Sequence, residues 1–341
     1  MDKKSVLYII IIITSVLIVT FLTIFLISPS FCADGTHYNT CSNSTPYFCS
    51  GGKLVERASV CGCPANSNLQ GEICRSNYQF NPKNITLNYT LMGKKESIDF
   101  VVYSGIYNYL STLPRYIDSN ENSSLAAFKL RMINEEYQKQ FLFPLFIKIT
   151  EITSNKEDQA RIAISLVQNI PFGSSDKKIR IGNIPIDYQR YPYEVLYDME
   201  GICSEKSELL FYLLREIGYG TASLYYNVEN HEAVGINCPI KQSVNNSGYC
   251  FIETTGPSIL TDDQTDYFGT SERLASNPKI IEISEGNSLT SNLIEYRDAI
   301  FLIKLREKMR VEGEINIFES IKWKTIQKRY GLISFDSYEF N

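Results

Sequence analysis

Histidine is scarce in this chain: His37 and His231 are the two among 341 residues. His37 lies within a run of six cysteines, Cys32, Cys41, Cys49, Cys61, Cys63 and Cys74, but has no partner at ligand spacing. Cys61-Gly62-Cys63 also lacks the two-residue gap of a zinc knuckle, so zinc is the weaker reading of that cluster. Beyond the cluster, chemistry that needs an imidazole falls to His231. A surplus of positive charge is absent too, since the formal net charge is −5. With no clustered Lys/Arg stripe carrying interleaved aromatics, nucleic acid is not an expected partner. Neither an internal repeat nor a low-complexity segment occurs beyond the apolar N-terminus.

Formal charge is missing altogether from Ser5 to Ile27, a stretch rich in Ile, Leu, Val and Phe. At about 1.5 Å per helical residue it covers the roughly 30 Å of a bilayer core. It exceeds the usual apolar region of a signal peptide, and Ser28-Pro29-Ser30-Phe31-Cys32 offers no small-residue cleavage site, so an uncleaved anchor is expected. Lys3 and Lys4 precede the span and no Lys or Arg follows until Lys53. The positive-inside rule then places the N-terminus in the cytoplasm and the rest outside, in the cell membrane as a single-pass protein.

That compartment suits disulfides. Residues 31 to 76 are rich in Gly, Asn, Ser, Thr and Cys with almost no apolar periodicity, so cross-links rather than a core should hold them. The expected order is an anchor over 1–29, a cysteine-rich stalk over 30–76, a larger domain over 77–272 and a helical extension over 273–341. In the larger domain, Ile85 to Leu91 and Ser97 to Tyr103 have the composition of paired strands around a turn at 92–95. Helical periodicity runs over 125–146 and again from Ser154-Asn155 through Val167, stopping at Pro171 and Gly173; 179–193 is loop-like. A helix beginning at Cys203 precedes three strands, 221–227, 231–237 and 249–254, and helices return over 291–309 and 317–330.

Three cysteines lie downstream, Cys203, Cys238 and Cys250. If the last two pair, Cys203 is the odd thiol. At a helix start, free N–H groups and the positive end of the macrodipole favour a thiolate. Ser207, Leu210, Leu214 and Ile217 share its side of the helix, so the sulfur should point inward. Glu205 and Glu208 place negative charge nearby, and His231 is the expected cationic partner. The strand at His231 puts Ala233 and Gly235 on the histidine face, with room for a helix terminus or a substrate, and Val234 and Ile236 on the other. Glu253 can orient the imidazole from the next strand if it stands opposite His231. That register pairs 234 with 250 and leaves Cys238 four residues beyond the partner of Cys250, so the disulfide would require a break at Pro239.

These residues resemble the transglutaminase-like members of the papain-like cysteine hydrolase superfamily, the membrane-anchored archaeal versions above all. The likeness rests on Tyr191-Pro192-Tyr193-Glu194-Val195-Leu196, the Gly-x-Cys-x-x-x-Ser-x-Leu-Leu run from Gly201 to Leu210, Asn230-His231, and Ile252-Glu253-Thr254-Thr255. Many members have Asp before the Thr and an aromatic residue after the His, where this chain has Glu253 and Glu232-Ala233-Val234. The resemblance implies an α+β fold with a nucleophile helix against an antiparallel sheet over roughly 84–269. It also implies a Cys203-His231-Glu253 relay attacking peptide or protein amides, without cofactor or metal. The Cys203 N–H is the expected oxyanion donor, and Tyr193 is either a second donor or a structural tyrosine. The alternative is a catalytically silent domain of the same fold that serves as an envelope-binding or structural module.

Overall fold

The computed structural model describes residues 13–14, 31–115, 124–181, 184–265 and 273–332. Apart from Ile13 and Thr14, the expected membrane span over 5–27 lies outside them. Among the described residues no helix is long and apolar enough to cross a membrane. The chain divides into two compact units, Met1–Cys63 with Leu69–Ile73, and Pro64–Asn68 with Cys74–Asn341.

In the first unit, Tyr47–Ser50 and Lys53–Glu56 form an antiparallel hairpin. Gly51 and Gly52 take positive φ in its turn. Its described buried apolar residues are Cys32, Tyr47, Phe48, Cys49 and Ala58, too few for a core. Disulfides Cys32–Cys49 and Cys41–Cys61 instead close loops across separations of 17 and 20 residues. Closures of that size contribute about 3 kcal/mol each in the chain-entropy account. Cys63 and Cys74 are disulfide-bonded as well, so all six cysteines are oxidised.

The second unit is mixed α and β. Its first hairpin joins β1, Pro82–Leu91, to β2, Lys94–Tyr103. Leu91 pairs with Lys94, leaving Met92 and Gly93 as a two-residue turn with φ of 49° and 86°. Positive φ at both positions matches the strand twist. Ile85, Leu87 and Tyr89 are buried on one strand, and Ile98, Phe100 and Val102 on the other. After α1, Ser104–Ser111, the helix expected over 125–146 is two: α2, Leu125–Ile133, and α3, Glu136–Ile152. Glu135 starts the second by accepting from the amides of Tyr137 and Gln138 at 3.2 and 2.6 Å, satisfying donors that a new helix leaves open. Asn155 caps α4, Lys156–Gln168, through the Asp158 amide at 3.0 Å.

The stretch expected to be loop over 179–193 contains a short hairpin, β3, Lys178–Ile181, with β4, Ile184–Asp187, and the start of α5, Pro192–Asp198. Then come α6, Cys203–Ile217, and the strands β5, Thr221–Tyr226, β6, His231–Asn237, and β7, Tyr249–Ile252. The sheet has a fourth member, β8, Lys279–Ser284, in the order β7-β6-β5-β8, antiparallel throughout. Burial of Ile281 and Ile283 to either side of exposed Glu282 is the period-two signature of a half-buried strand. Helices α7, Ile294–Glu312, and α8, Ile317–Tyr330, follow.

The sheet register corrects one expectation. Val234 pairs with Ile252 and Ile236 with Cys250, two residues away from the register that sets His231 opposite Glu253. An even shift keeps each side chain on its face, so His231 and Glu253 remain on one side as diagonal neighbours. Cys238 now lies two residues beyond the partner of Cys250, and the disulfide forms at a Cα separation of 5.7 Å. No strand break is needed.

Helix α6 also departs from the amphipathic expectation. From Glu205 to Leu214 every residue is buried, including Glu205, Lys206 and Glu208. It is a central helix, and its charges need partners inside the protein.

Candidate active site

Cys203 is the first residue of α6, half-buried, and the one free cysteine among the described residues. Its N–H belongs to the first helical turn, where amides have no intrahelical acceptor. Just upstream, Gly201 is clasped by the segment after α4: its N–H donates to the Pro171 carbonyl at 3.2 Å, and its carbonyl accepts from the Gly173 N–H at 3.3 Å. A Cβ on Gly201 would stand 3.1 Å from Lys206 Cγ and 3.2 Å from Val195 Cγ1, which is why glycine fits this approach.

His231 opens β6 and is 3% exposed, with Nε2 2.9 Å from Glu253 Oε2. The Cys203 side chain is the other group that acts on the ring. Burial opposes an imidazolium, but the bond to Glu253 and the interactions with Cys203 and Glu253 prevail and push His231 up to about 10. Glu253 follows β7 and is 2% exposed. Its Oε1 accepts from the amides of Thr254 and Thr255 at 2.9 and 2.8 Å and from Thr255 Oγ1 at 2.8 Å. Burial works to raise this carboxyl, yet the histidine and the Thr255 bonds hold it below the usual range. The Glu-Thr-Thr sequence is therefore a self-satisfying anion turn, and it reaches α6 as well: Thr254 Oγ1 donates to the Cys203 carbonyl and contacts Ser207 Oγ, both at 3.3 Å.

The expected room on the histidine face of β6 is taken by packing. Ala233 lies in a buried cluster with Leu224, Tyr226, Val244 and Phe251.

Neither glutamate expected to oppose the thiolate is unpaired. Glu205 accepts from the Ile202 and Arg190 amides at 2.9 and 2.7 Å and from Arg190 Nη1 at 3.1 Å. Glu208 receives a bond from Gln189 at 2.9 Å and lies 3.7 Å from Lys129 Nζ. Lys129 in turn pairs with Glu232 at 2.6 Å, and Glu232 also accepts from Ser223 at 2.7 Å. Glu232, the residue after the histidine, thus completes a buried ion pair.

Glu208 Oε2 has no hydrogen-bond partner, and burial raises its carboxyl well above the ordinary value despite Lys129. A folded pKa above the unfolded one favours folding below about pH 4.3 and withdraws that contribution as pH rises toward the folded value. Glu208→Gln should therefore leave thermal stability unchanged near pH 4 and raise it at pH 7, by about 2–4 °C for each kcal/mol relieved. Differential scanning fluorimetry at the two pH values measures this, and a lower melting temperature at pH 7 would refute it.

Tyr193 is the structural tyrosine of the two readings. It is fully buried, and its hydroxyl accepts from the Tyr103 amide at 2.6 Å. Two residues that sequence reasoning passed over matter more. Arg115 is buried against Glu194 at 2.7 Å and binds the α5 start. Lys206, one turn beyond Cys203, is fully buried and donates to the carbonyls of Ile170 and Thr255 at 2.6 and 3.3 Å. Its signal was present, because a lysine at the third position after the cysteine faces the same way as Ser207 and Leu210. No family model, curated protein or solved structure matches this chain.

Proposed function

We propose that this protein is a cysteine acyl-transfer enzyme of the transglutaminase-like kind, acting on amides of envelope peptides or proteins. In this reading it is held in the membrane by its N-terminal apolar segment, with the larger unit on the extracytoplasmic side. One observation carries it: a half-exposed thiol at a helix start acts on a buried histidine whose Nε2 meets a fully satisfied carboxylate. The packing of α6 on an antiparallel sheet agrees with the implied core, and the four disulfide bonds fit an oxidising compartment.

The Cys203 sulfur attacks the amide carbonyl carbon, and the oxyanion meets the Cys203 N–H. His231, as imidazolium, gives its proton to the departing amine, leaving a thioester. Water or a second amine then attacks, His231 accepts its proton, and the sulfur leaves as thiolate, restoring the starting state. Glu253 keeps the ring oriented and supports its cationic form.

The test is covalent capture. A peptidyl acyloxymethyl ketone bearing a reporter should label native protein at Cys203 and lose that labelling after denaturation or in Cys203→Ala. Dansylcadaverine incorporation into a glutaminyl peptide reports transfer, and ammonia release from that peptide with no added amine reports hydrolysis. Equal labelling of native and denatured protein would count against any activated thiol.

A further inference from the structure

We propose that Lys206 is the fourth charged member of the relay, a positioning residue that ties the acid turn to the nucleophile helix and balances the charge of Cys203 and Glu253. The proposal rests on the reading of Cys203 as a nucleophile. Three segments meet at one ammonium. Lys206 belongs to α6; its Nζ holds the Thr255 carbonyl, which closes the turn whose amides bind Glu253; and it holds the Ile170 carbonyl, at the head of the segment that clasps Gly201.

Charge makes the same point. A thiolate, an imidazolium and a carboxylate sum to one negative charge in a buried site, and an isolated buried charge is costly. Lys206 restores neutrality. Among the described residues, the charges acting on it are Cys203 on its own helix and Glu253 on the acid turn, with His231 between them on β6; the 170–173 segment carries no titratable side chain. Other nearby charges are engaged elsewhere: Glu205 with Arg190, and Lys129 with Glu232. Burial lowers Lys206 to about 7, while Glu253 and Cys203 pull it back. The ammonium is therefore present in mildly acidic solution and lost in mildly alkaline solution.

That loss gives the role a signature that simple structural support lacks. The rate of Cys203 alkylation by iodoacetamide should be about tenfold lower in Lys206→Gln and Lys206→Met than in wild type at pH 6, where the lysine is charged. The deficit should vanish by about pH 8.5, where the wild-type lysine is itself neutral. Glutamine keeps a donor for the two carbonyls, so it also serves if Lys206→Met does not fold. In the wild-type protein, alkylating Cys203 removes one of the two anions, and the Lys206 ¹³Cε titration should move to lower pH.

A deficit of equal size at both pH values, no deficit at pH 6, or an unmoved Lys206 titration overturns the assignment. His231→Ala reports on the parent reading separately. If it alkylates like wild type, the catalytic reading fails; if it is slow while Lys206→Gln behaves as wild type, only the role of Lys206 falls.

Discussion

Replacing His231 by Ala should slow iodoacetamide alkylation of Cys203 at pH 6 by at least about 100-fold. The imidazole is the cation on which Cys203 acts, and its shift to about 10 means that it carries that charge throughout the neutral range. Glu253→Gln should slow the reaction less, by about tenfold, because the ring keeps a hydrogen-bond partner but loses a negative charge that supports its protonated form. The same linkage affects folding. His231 in the folded state titrates above its unfolded value of 6.5, so its contribution is complete below pH 6.5 and disappears as pH rises through about 10. The thermal-stability gap between wild type and His231→Ala should narrow across that window. Alkylation of His231→Ala within about twofold of wild type would leave the relay without kinetic meaning.

The largest effect on stability is expected at Arg115. Its guanidinium is enclosed by acceptors: Nε meets the Gln189 carbonyl at 2.8 Å, Nη1 the Leu113 carbonyl at 2.6 Å, and Nη2 the Leu110 carbonyl, Tyr188 hydroxyl and Glu194 carboxylate at 2.9, 2.5 and 2.7 Å. Glu194 is fully buried, and besides Arg115 it accepts from the Tyr188 hydroxyl and, at 2.9 Å, the Tyr191 amide at the start of α5. Arg115→Met strands that carboxylate in the interior, at a cost of about 3–5 kcal/mol, or on the order of 10 °C in melting temperature. Glu194→Gln should cost less, since the Arg115 cation left without its anion keeps three backbone carbonyls and the Tyr188 hydroxyl as acceptors. Combining Arg115→Met with Glu194→Met should recover part of the loss, because no charge then remains unpaired. A melting temperature for Arg115→Met within about 2 °C of wild type would show that the pair is not a structural requirement.

Much of the site was legible because it is written in short-range signals. A helix start places Cys203, a strand start places His231, and a Glu followed by two threonines carries its own carboxylate-binding amides. Period-two and helical spacing gave the first hairpin, α4, α6 and three strands of the sheet. Local signals misled where a side chain chose between continuing and restarting a helix, as Glu135 does between α2 and α3. The β8 strand carries a plain alternation, but its place beside β5 joins residues more than 50 positions apart and is set by tertiary pairing.

By itself the sequence determined which residue types could form a thiol relay, their order along the chain, and the face each would occupy, because these follow from backbone periods of 3.6 and 2. Only the tertiary structure decided the strand register, and with it how His231 reaches Glu253 while Cys238 still reaches Cys250. It also decided what every buried charge meets: Glu205 with Arg190, Glu232 with Lys129, Glu194 with Arg115, and Lys206 with the carbonyls beside the acid turn. Those partners lie from 15 to 103 residues apart. Periodicity within one element can say that a charge is buried, but the group that satisfies it arrives from another element, and packing alone brings the two together.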